Sequence, residues 1–188
     1  MIEGEIYRYV SRQIKRLNTM PIHPQKAMLA NLRRGIGRVP GDMPELWGIF
    51  LQDLPQEMQS KDGNPTREEW AIYLSLTLYA LHQQSQDKDV NKPGASFGNA
   101  VRKLAEPGQE PEESSSFRRF QALLTASSIQ ESAHYLRAMI QLLRQAGIGL
   151  DYPQLAEDLY LLQIPALASK VRLKWGQEYY FDNNIEND

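Results

Sequence analysis

The amino-acid sequence predicts an all-α protein in which about eight or nine helices form a bundle of two packed helical subdomains. Apolar residues recur at the three- and four-residue spacing of a helix almost throughout the 188 residues, and no stretch shows convincing strand-type alternation. Ser, Thr or Asp precedes several helical stretches, often with Glu or Gln three residues later, as in a capping box. Glycine and proline mark the breaks between the stretches. These patterns favour helices joined by loops.

Three helices are predicted in the first 51 residues. The first covers residues 3–18. The second covers residues 24–35, because Pro24 is tolerated in a first turn. After the loop GIGRVPGD, a short helix covers residues 44–51, and the glycine and prolines of LPQEMQSKDGNP then indicate another break.

The middle of the chain contains two predicted helices. Thr66 with Glu69 three residues later predicts the capping box of a long helix over residues 67–86. A polar connection then leads to the helix SFGNAVRKLA, for which Ser96 is the predicted N-cap.

Three predicted helices near the C-terminus begin with a side chain that can accept a backbone hydrogen bond. The predicted caps are Ser114 or Ser115 for FRRFQALL, Ser128 with Glu131 for the helix that Gly147 ends, and Asp151 with Gln154 for DYPQLAEDLYLL. Pro165 opens a last helix through Trp175, and the residues after it are predicted to be a frayed tail.

The predicted domain organisation has four parts. An N-terminal helical subdomain covers residues 1–105, and an acidic linker loop covers residues 106–116. A C-terminal helical bundle covers residues 117–175, and an acidic tail covers residues 176–188.

Composition excludes several classes of protein. The chain has no cysteine, which excludes a disulfide scaffold, thiolate metal sites and a thiol nucleophile. No apolar run approaches the roughly 18 residues of a membrane span, and the N-terminus lacks the apolar stretch of a secretory signal. We therefore expect a cytoplasmic protein without a membrane partner.

The charge of the chain is segregated along the sequence. The formal net charge is −2, from 21 basic and 23 acidic side chains, and such a total is unusual for a nucleic-acid-binding domain. Residues 1–38, however, carry eight Lys or Arg against two Glu, and residues 117–150 carry a net charge of +3. Acidic residues are concentrated in loops and at the C-terminus. Because like charges on one helix face repel, the basic segments indicate an anionic partner.

The candidate phosphate-binding residues are ten cations that follow the first predicted helix, in these segments and in the helix between them. They are Lys26, Arg33, Arg34, Arg38, Arg102, Lys103, Arg118, Arg119, Arg137 and Arg144. Arginine is suited to bidentate phosphate contacts, which carry no sequence information. The aromatic residues form no recognised base-reading motif, so we expect binding without sequence preference.

Enzyme chemistry has little support in the sequence. The chain has three histidines, no glycine-rich phosphate loop after a strand and no paired-histidine zinc motif. Glu131 and His134 have the spacing found in di-iron bundles, but a second pair is absent and Glu131 is better interpreted as a capping residue. We predict no catalytic residue, no bound metal and no cofactor.

The order of several motifs resembles one known family. LRRGIGRVPGDMPELW, SFGNAVRKLA, SFRRFQALL, YLRAM, GIGLDY and a final KWG occur in the order found in the CasB family, the small subunit of the type I-E CRISPR Cascade complex. The similarity covers roughly residues 25–175. It implies a helical, non-catalytic protein with two copies in Cascade, next to other Cascade subunits.

The resemblance also implies a role in CRISPR antiviral defence. The family is expected to contact the backbone of the crRNA and the target strand, and to hold the displaced non-target DNA strand so that the R-loop is stable. The motifs assign this role to Arg33, Arg34, Arg118, Arg119 and Arg137, whereas the other five candidates rest on local charge alone. The acidic loop and the acidic tail depart from the family pattern.

A second interpretation stays open at this point. The basic face could dock on acidic surfaces of partner subunits, which would make the protein a helical adaptor without contact to nucleic acid. Binding of labelled single-stranded DNA to the isolated protein distinguishes the two interpretations.

Overall fold

The computed structural model confirms the all-α fold, and it describes residues 4–105, 108 and 110–181. Within these residues the chain forms nine α-helices, three short 3₁₀ turns and no strand. The helices are α1 (Glu5–Thr19), α2 (Ile22–Arg34), α3 (Trp47–Phe50), α4 (Arg67–His82), α5 (Phe97–Arg102), α6 (Ser115–Leu124), α7 (Ile129–Ala146), α8 (Tyr152–Leu162) and α9 (Pro165–Tyr180). The 3₁₀ turns are Pro44–Leu46, Gln56–Met58 and Pro111–Glu113.

Helix α4 lies at the centre of the fold. Its sequence is apolar on all sides, and thirteen of its sixteen residues are buried. Helices α1, α2, α7 and α8 all pack against it. The predicted capping box is present, with Thr66 Oγ1 accepting from the Glu69 N–H at 3.0 Å and Glu69 Oε2 accepting from the Thr66 N–H at 2.8 Å.

The predicted end of α4 was wrong by four residues. The helix ends at His82 rather than at residue 86. Ser85, three residues further on, has a φ of 59°, a left-handed conformation that a continuing right-handed helix does not contain. The polar residues after His82 therefore form a turn.

Helix α1 packs against a helix from the C-terminal part of the chain. Its apolar residues Ile6, Val10 and Leu17 are fully buried, and the helix packs mainly on α8 and also on α4. The buried apolar residues form one continuous cluster that includes residues from α1 and α8. The predicted division into subdomains at residues 106–116 stays a prediction.

Helix α9 extends further than predicted. It continues five residues past Trp175 to Tyr180, so the frayed tail predicted for residues 176–188 does not begin there. The reason is burial of Tyr179, whose ring centroid lies 5.0 Å from that of Phe117 and 5.6 Å from that of Phe120 in α6. The rest of the predicted tail, residues 182–188, lies outside the described residues.

The acidic linker loop is shorter than predicted on its C-terminal side. Helix α6 begins at Ser115, inside the predicted loop of residues 106–116, and Pro111–Glu113 forms a 3₁₀ turn. Residues 106, 107 and 109 lie outside the described part of the chain. The C-terminal helices therefore start two residues before the predicted boundary.

Most predicted helix caps are confirmed. The side chains of Ser114, Ser128 and Asp151 each accept a hydrogen bond from the backbone N–H three residues later. Gly147 ends α7 with a φ of 68°, a conformation that favours glycine. Local hydrogen bonds thus start and end the C-terminal helices where the sequence predicts them.

Two details of the predicted caps were wrong. Glu131 bonds back to Ser127, accepting from its N–H at 2.7 Å and its hydroxyl at 2.8 Å, instead of to Ser128. Ser96 precedes α5, but its side chain makes no capping bond and instead hydrogen-bonds Glu178 of α9. In both cases the side chain hydrogen-bonds another residue instead of the predicted capping partner.

No helix in the described part of the chain is both long enough and apolar enough to span a membrane.

Candidate nucleic-acid interface

The first part of the candidate interface lies on α4, beside α2 and α7. Both flanking helices pack against α4. Between them lies a cleft of about 60 Å³ whose walls come from the loop after α2, from α4 and from the start of α7. Its lining residues are Gly37, Arg38, Trp70, Tyr73, Leu74, Thr77, Gln130 and Ala133. We call this surface, together with the Arg33 and Arg144 end described next, the α2–α7 groove.

One end of the α2–α7 groove is formed where α4 ends. Arg33 Nη1 donates to the Ala80 carbonyl at 3.4 Å, and Arg144 Nη1 donates to Gln84 Oε1 at 2.9 Å. Ala80 lies in the last turn of α4 and Gln84 lies two residues past its end, so these bonds place Arg33 of α2 and Arg144 of α7 beside the same end of α4. The two basic sequence segments therefore meet here.

The charges at this end of the groove influence each other. Burial, and next the positive charge of Arg144, lower the pKa of the Arg33 guanidinium below its usual value. Burial and then Arg144 also lower the pKa of His82 to about 4, while a hydrogen bond to the Ile148 backbone opposes the shift. His82 is therefore neutral at physiological pH. An anion bound between Arg33 and Arg144 would relieve their repulsion.

Two further candidates, Arg38 and Arg137, lie on this side of the molecule. Arg38 lines the cleft directly. Arg137 is exposed and is seven residues from both Gln130 and Arg144, so all three lie on one face of α7. Four of the ten predicted residues thus border the groove: Arg33, Arg38, Arg137 and Arg144.

The remaining two candidates of α2 differ in their surroundings. Lys26 is exposed and lies seven residues before Arg33, on the same side of α2. Arg34 donates to Asn31 Oδ1 at 2.6 Å and lies 3.8 Å from the Glu45 carboxylate, in an exposed pair. Because exposed pairs contribute about 0–1 kcal/mol, Glu45 leaves Arg34 available to another anion.

The other four candidates form a second basic patch on α5 and α6. They are Arg102, Lys103, Arg118 and Arg119, and all four are exposed. Arg102 lies over the ring of Tyr179, 5.8 Å from its centroid, and Arg118 donates to the Glu113 carbonyl at 3.4 Å. We call this set the α5–α6 patch.

Helix α7 separates the patch from the groove. Arg118 lines a cavity with Leu142 and Ala146 of α7. Both of these residues lie about 160° around α7 from Arg144. The structure therefore does not bring the two sets of cations into one groove.

Sequence reasoning missed Trp70, whose half-buried indole lines the cleft beside Arg38. Helix α4 is apolar on all sides, so no periodic pattern marks which of its residues face the groove. The relevant signal is the spacing of Trp70, Tyr73 and Thr77, which lie on one side of α4.

The cations of α1 lie elsewhere. Arg16 donates to the Gly48 carbonyl at 2.9 Å, Arg8 pairs with Glu5 at 3.9 Å, and Arg12 lies over the ring of Tyr9. They interact with residues of α1 and α3, away from the α2–α7 groove.

Metal-type ligands are not clustered in the described residues. No group of three or more His, Asp or Glu side chains there is arranged to hold an ion. Glu131 is engaged by Ser127, and His134 is exposed.

Comparisons with known proteins identify the family. The model of the CRISPR-associated protein Cse2 family matches residues 28–180. The crystal structure of CasB from Thermobifida fusca is 31% identical, with a TM-score of 0.73, and the match covers 95% of this chain and 97% of that one. A search of curated proteins gives no significant match.

Two further solved structures have the same fold. A CRISPR-associated protein of the Cse2 family from Thermus thermophilus is 27% identical, with a TM-score of 0.67 and coverage of 96% of this chain and 99% of that one. CasB from M. ruber is 24% identical, with a TM-score of 0.66 and coverage of 92% of each chain. The family model and the CasB match span most of the chain, and the chain belongs to the CasB (Cse2) family, the small subunit of the type I-E CRISPR Cascade complex.

Proposed function

We propose that the chain is a non-catalytic, sequence-independent nucleic-acid-binding subunit of Cascade. In this role it contacts the backbone of the crRNA and the target strand and stabilises the displaced non-target strand of the R-loop. Its partners are these strands, other Cascade subunits and a second copy of itself. The observation that carries the proposal is the meeting of Arg33 and Arg144 at the end of α4.

The charge arrangement supports binding to a phosphate backbone. Repulsion between the two guanidinium groups costs free energy in the free protein, and a bound phosphate removes that cost. Arginine donates two parallel hydrogen bonds to phosphate, which contributes affinity without reading a base. Arg38 and Arg137 extend the positive charge along the same groove.

Strand displacement needs only a modest contribution from the protein. The RNA–DNA heteroduplex is about as stable as the DNA duplex that it replaces, so backbone contacts can decide the balance. A groove with four arginines is suited to this task because each arginine can contact a phosphate of the strand. Each such contact on a single strand adds about 0.7 to the slope of log affinity against log salt.

The decisive experiment compares the two cationic surfaces. One variant carries Arg33, Arg38, Arg137 and Arg144 all changed to Gln, and a matched variant carries the same change at Arg102, Lys103, Arg118 and Arg119. Both are titrated with labelled single-stranded DNA over a series of salt concentrations, and circular dichroism verifies their helix content. We expect the groove variant to bind more weakly and to lose about 3 from the salt slope, as four contacts on a single strand require.

The matched variant measures the contribution of the α5–α6 patch. If this variant loses less affinity than the groove variant, the main strand contact lies in the α2–α7 groove. Unchanged affinity and salt slope in the groove variant would contradict the proposal for those four residues.

Exposed apolar side chains favour the adaptor as a second candidate function. Trp47 is 49% exposed and Val39 is 44% exposed, which suits contact with a protein. If the unaltered protein binds no single-stranded DNA at any salt concentration, the adaptor without nucleic-acid contact is the better account.

A further inference from the structure

We infer that Trp70 is a stacking platform for one unpaired base of the strand held in the α2–α7 groove. The inference rests on the proposed function, and it adds that single strands are preferred to duplex. It starts from the position of Trp70 in the cleft, between Arg38 on one wall and Gln130 on the other.

The three tryptophans of the chain have different surroundings. The indole N–H of Trp175 donates to buried Asp158 at 2.7 Å, and that of Trp47 donates to the Gly41 carbonyl at 3.2 Å. The indole of Trp70 is half-buried and has no hydrogen-bond acceptor among residues 4–105, 108 and 110–181. Among the three, Trp70 is the tryptophan that lines the cleft and whose indole N–H donates no hydrogen bond within the described residues.

The size of the cleft restricts what it can bind. Its volume is about 60 Å³, whereas pockets that enclose small molecules measure about 300–1,000 Å³. A ligand therefore lies across the mouth of the cleft instead of entering it. A planar base that packs on the aromatic lining satisfies this restriction, while its phosphates reach the cations on the walls.

Cations lie on both walls of the groove. Arg38 lines the cleft together with Trp70, and Arg137 lies about two turns further along α7, on the face that carries Gln130. A backbone that follows these cations carries its bases past the indole. Only an unpaired base offers a free face, because duplex bases are already stacked on their neighbours.

Stacking on Trp70 also fits binding without sequence preference. Every base has an aromatic face, so an indole accepts any of them. The arginines would then determine the salt dependence of binding, and Trp70 would contribute a part of the affinity that is independent of salt.

The test uses the full chain with Trp70→Ala, and with Trp47→Ala as the matched control on another surface. Both are titrated with labelled oligothymidine at several salt concentrations. We expect Trp70→Ala to weaken binding at least about fivefold while the salt slope stays unchanged, since base stacking is lost and phosphate contacts are not. Trp47→Ala and Trp70→Phe should retain nearly all of the affinity.

A second measurement needs no loss of a buried side chain. The unaltered protein is titrated with an oligonucleotide of the same length and charge that contains only abasic sites. Binding should weaken by about the same factor as in Trp70→Ala, and the variant itself should no longer distinguish the two oligonucleotides.

The outcomes separate the inference from the proposed function. If Trp70→Ala binds oligothymidine like the unaltered protein while the groove arginine variant loses binding, the stacking role is overturned and the proposed function stands. If the unaltered protein binds no strand at any salt concentration, both are overturned.

Discussion

The buried carboxylate of Asp158 accepts a hydrogen bond of 2.7 Å from the indole N–H of Trp175, and this contact joins α8 to the middle of α9. Lys174 Nζ lies 2.9 and 3.0 Å from the two oxygens of the same carboxylate. Trp175 is fully buried, so its N–H has no access to water if Asp158 is removed. The pair therefore fixes α9 in the core.

Asp158→Ala should destabilise the protein by about 1–3 kcal/mol, because it leaves a buried N–H without an acceptor. Urea unfolding followed by circular dichroism measures the change in the free energy of unfolding. Arg172→Gln, at an exposed position of the same helix, is the control and should change the free energy of unfolding by less than about 0.5 kcal/mol. Equal losses in the two variants would contradict this account.

Gly98→Ala should force α5 away from α9. A Cβ atom at this position meets the Trp175 carbonyl oxygen directly and lies 2.8 Å from Glu178 Cβ. Overpacking of this kind costs about 1–3 kcal/mol, and the backbone on the α9 side cannot rotate away as a side chain can. Urea unfolding measures the effect, and we expect a lower midpoint for the variant than for the unaltered protein.

Gly176→Ala is the control for the glycine prediction. Gly176 lies inside α9, and a Cβ atom there meets nothing within 4 Å. Alanine is the better helix former by about 0.5–1 kcal/mol, so this variant should be more stable than the unaltered protein. Destabilisation by Gly176→Ala as large as that by Gly98→Ala would show that space is not the cause.

His82 should make stability depend on pH in a defined window. Burial and the charge of Arg144 lower its pKa in the folded protein from 6.5 to about 4, so unfolding takes up a proton between those two values. The free energy of unfolding is then highest above about pH 6.5 and decreases as the pH falls through the window, by about 3 kcal/mol at its lower end.

Urea unfolding at pH 7, 5.5 and 4 measures this dependence. His82→Gln serves as the reference, because acidic residues titrate alike in both proteins and their difference isolates the histidine. The difference in stability between the two proteins should shrink as the pH falls. A constant difference would show that His82 keeps an ordinary pKa.

Arg144→Gln should raise the pKa of His82. The positive charge of Arg144 disfavours the imidazolium form, so its removal makes protonation easier. A pH titration of the histidine ring signals by NMR measures the shift, and Arg118→Gln, on the other side of α7, should leave it unchanged. An unchanged His82 titration in Arg144→Gln would contradict the geometry at this end of the groove.

Local features of the fold could be predicted from the sequence, whereas long-range ones could not. The caps at Thr66, Ser114 and Asp151 depend on residues three positions apart, so their chemistry is visible in the sequence. The end of α9 depends on the packing of Tyr179 against α6, more than fifty residues earlier, and the sequence gives no sign of that contact.

The candidate site shows the same limit. Charge segregation is visible in the sequence, because it is a property of segments of the chain. It could not predict that α7 turns Arg144 towards α2 and presents a different side to Arg118, since that depends on the rotation of α7 against α4. Whether these cations bind nucleic acid stays a prediction.

The packing of α1 on α8 has a consequence during protein synthesis. The end of α1 and the start of α8 are separated by about 133 residues, from Thr19 to Tyr152. Synthesis proceeds at about 5–20 residues per second, so α8 is made on the order of 10 s after α1. During that time the apolar face formed by Ile6, Val10 and Leu17 cannot pack against α8. We expect the cations on the other side of α1 to keep nascent chains apart by mutual repulsion until α8 arrives.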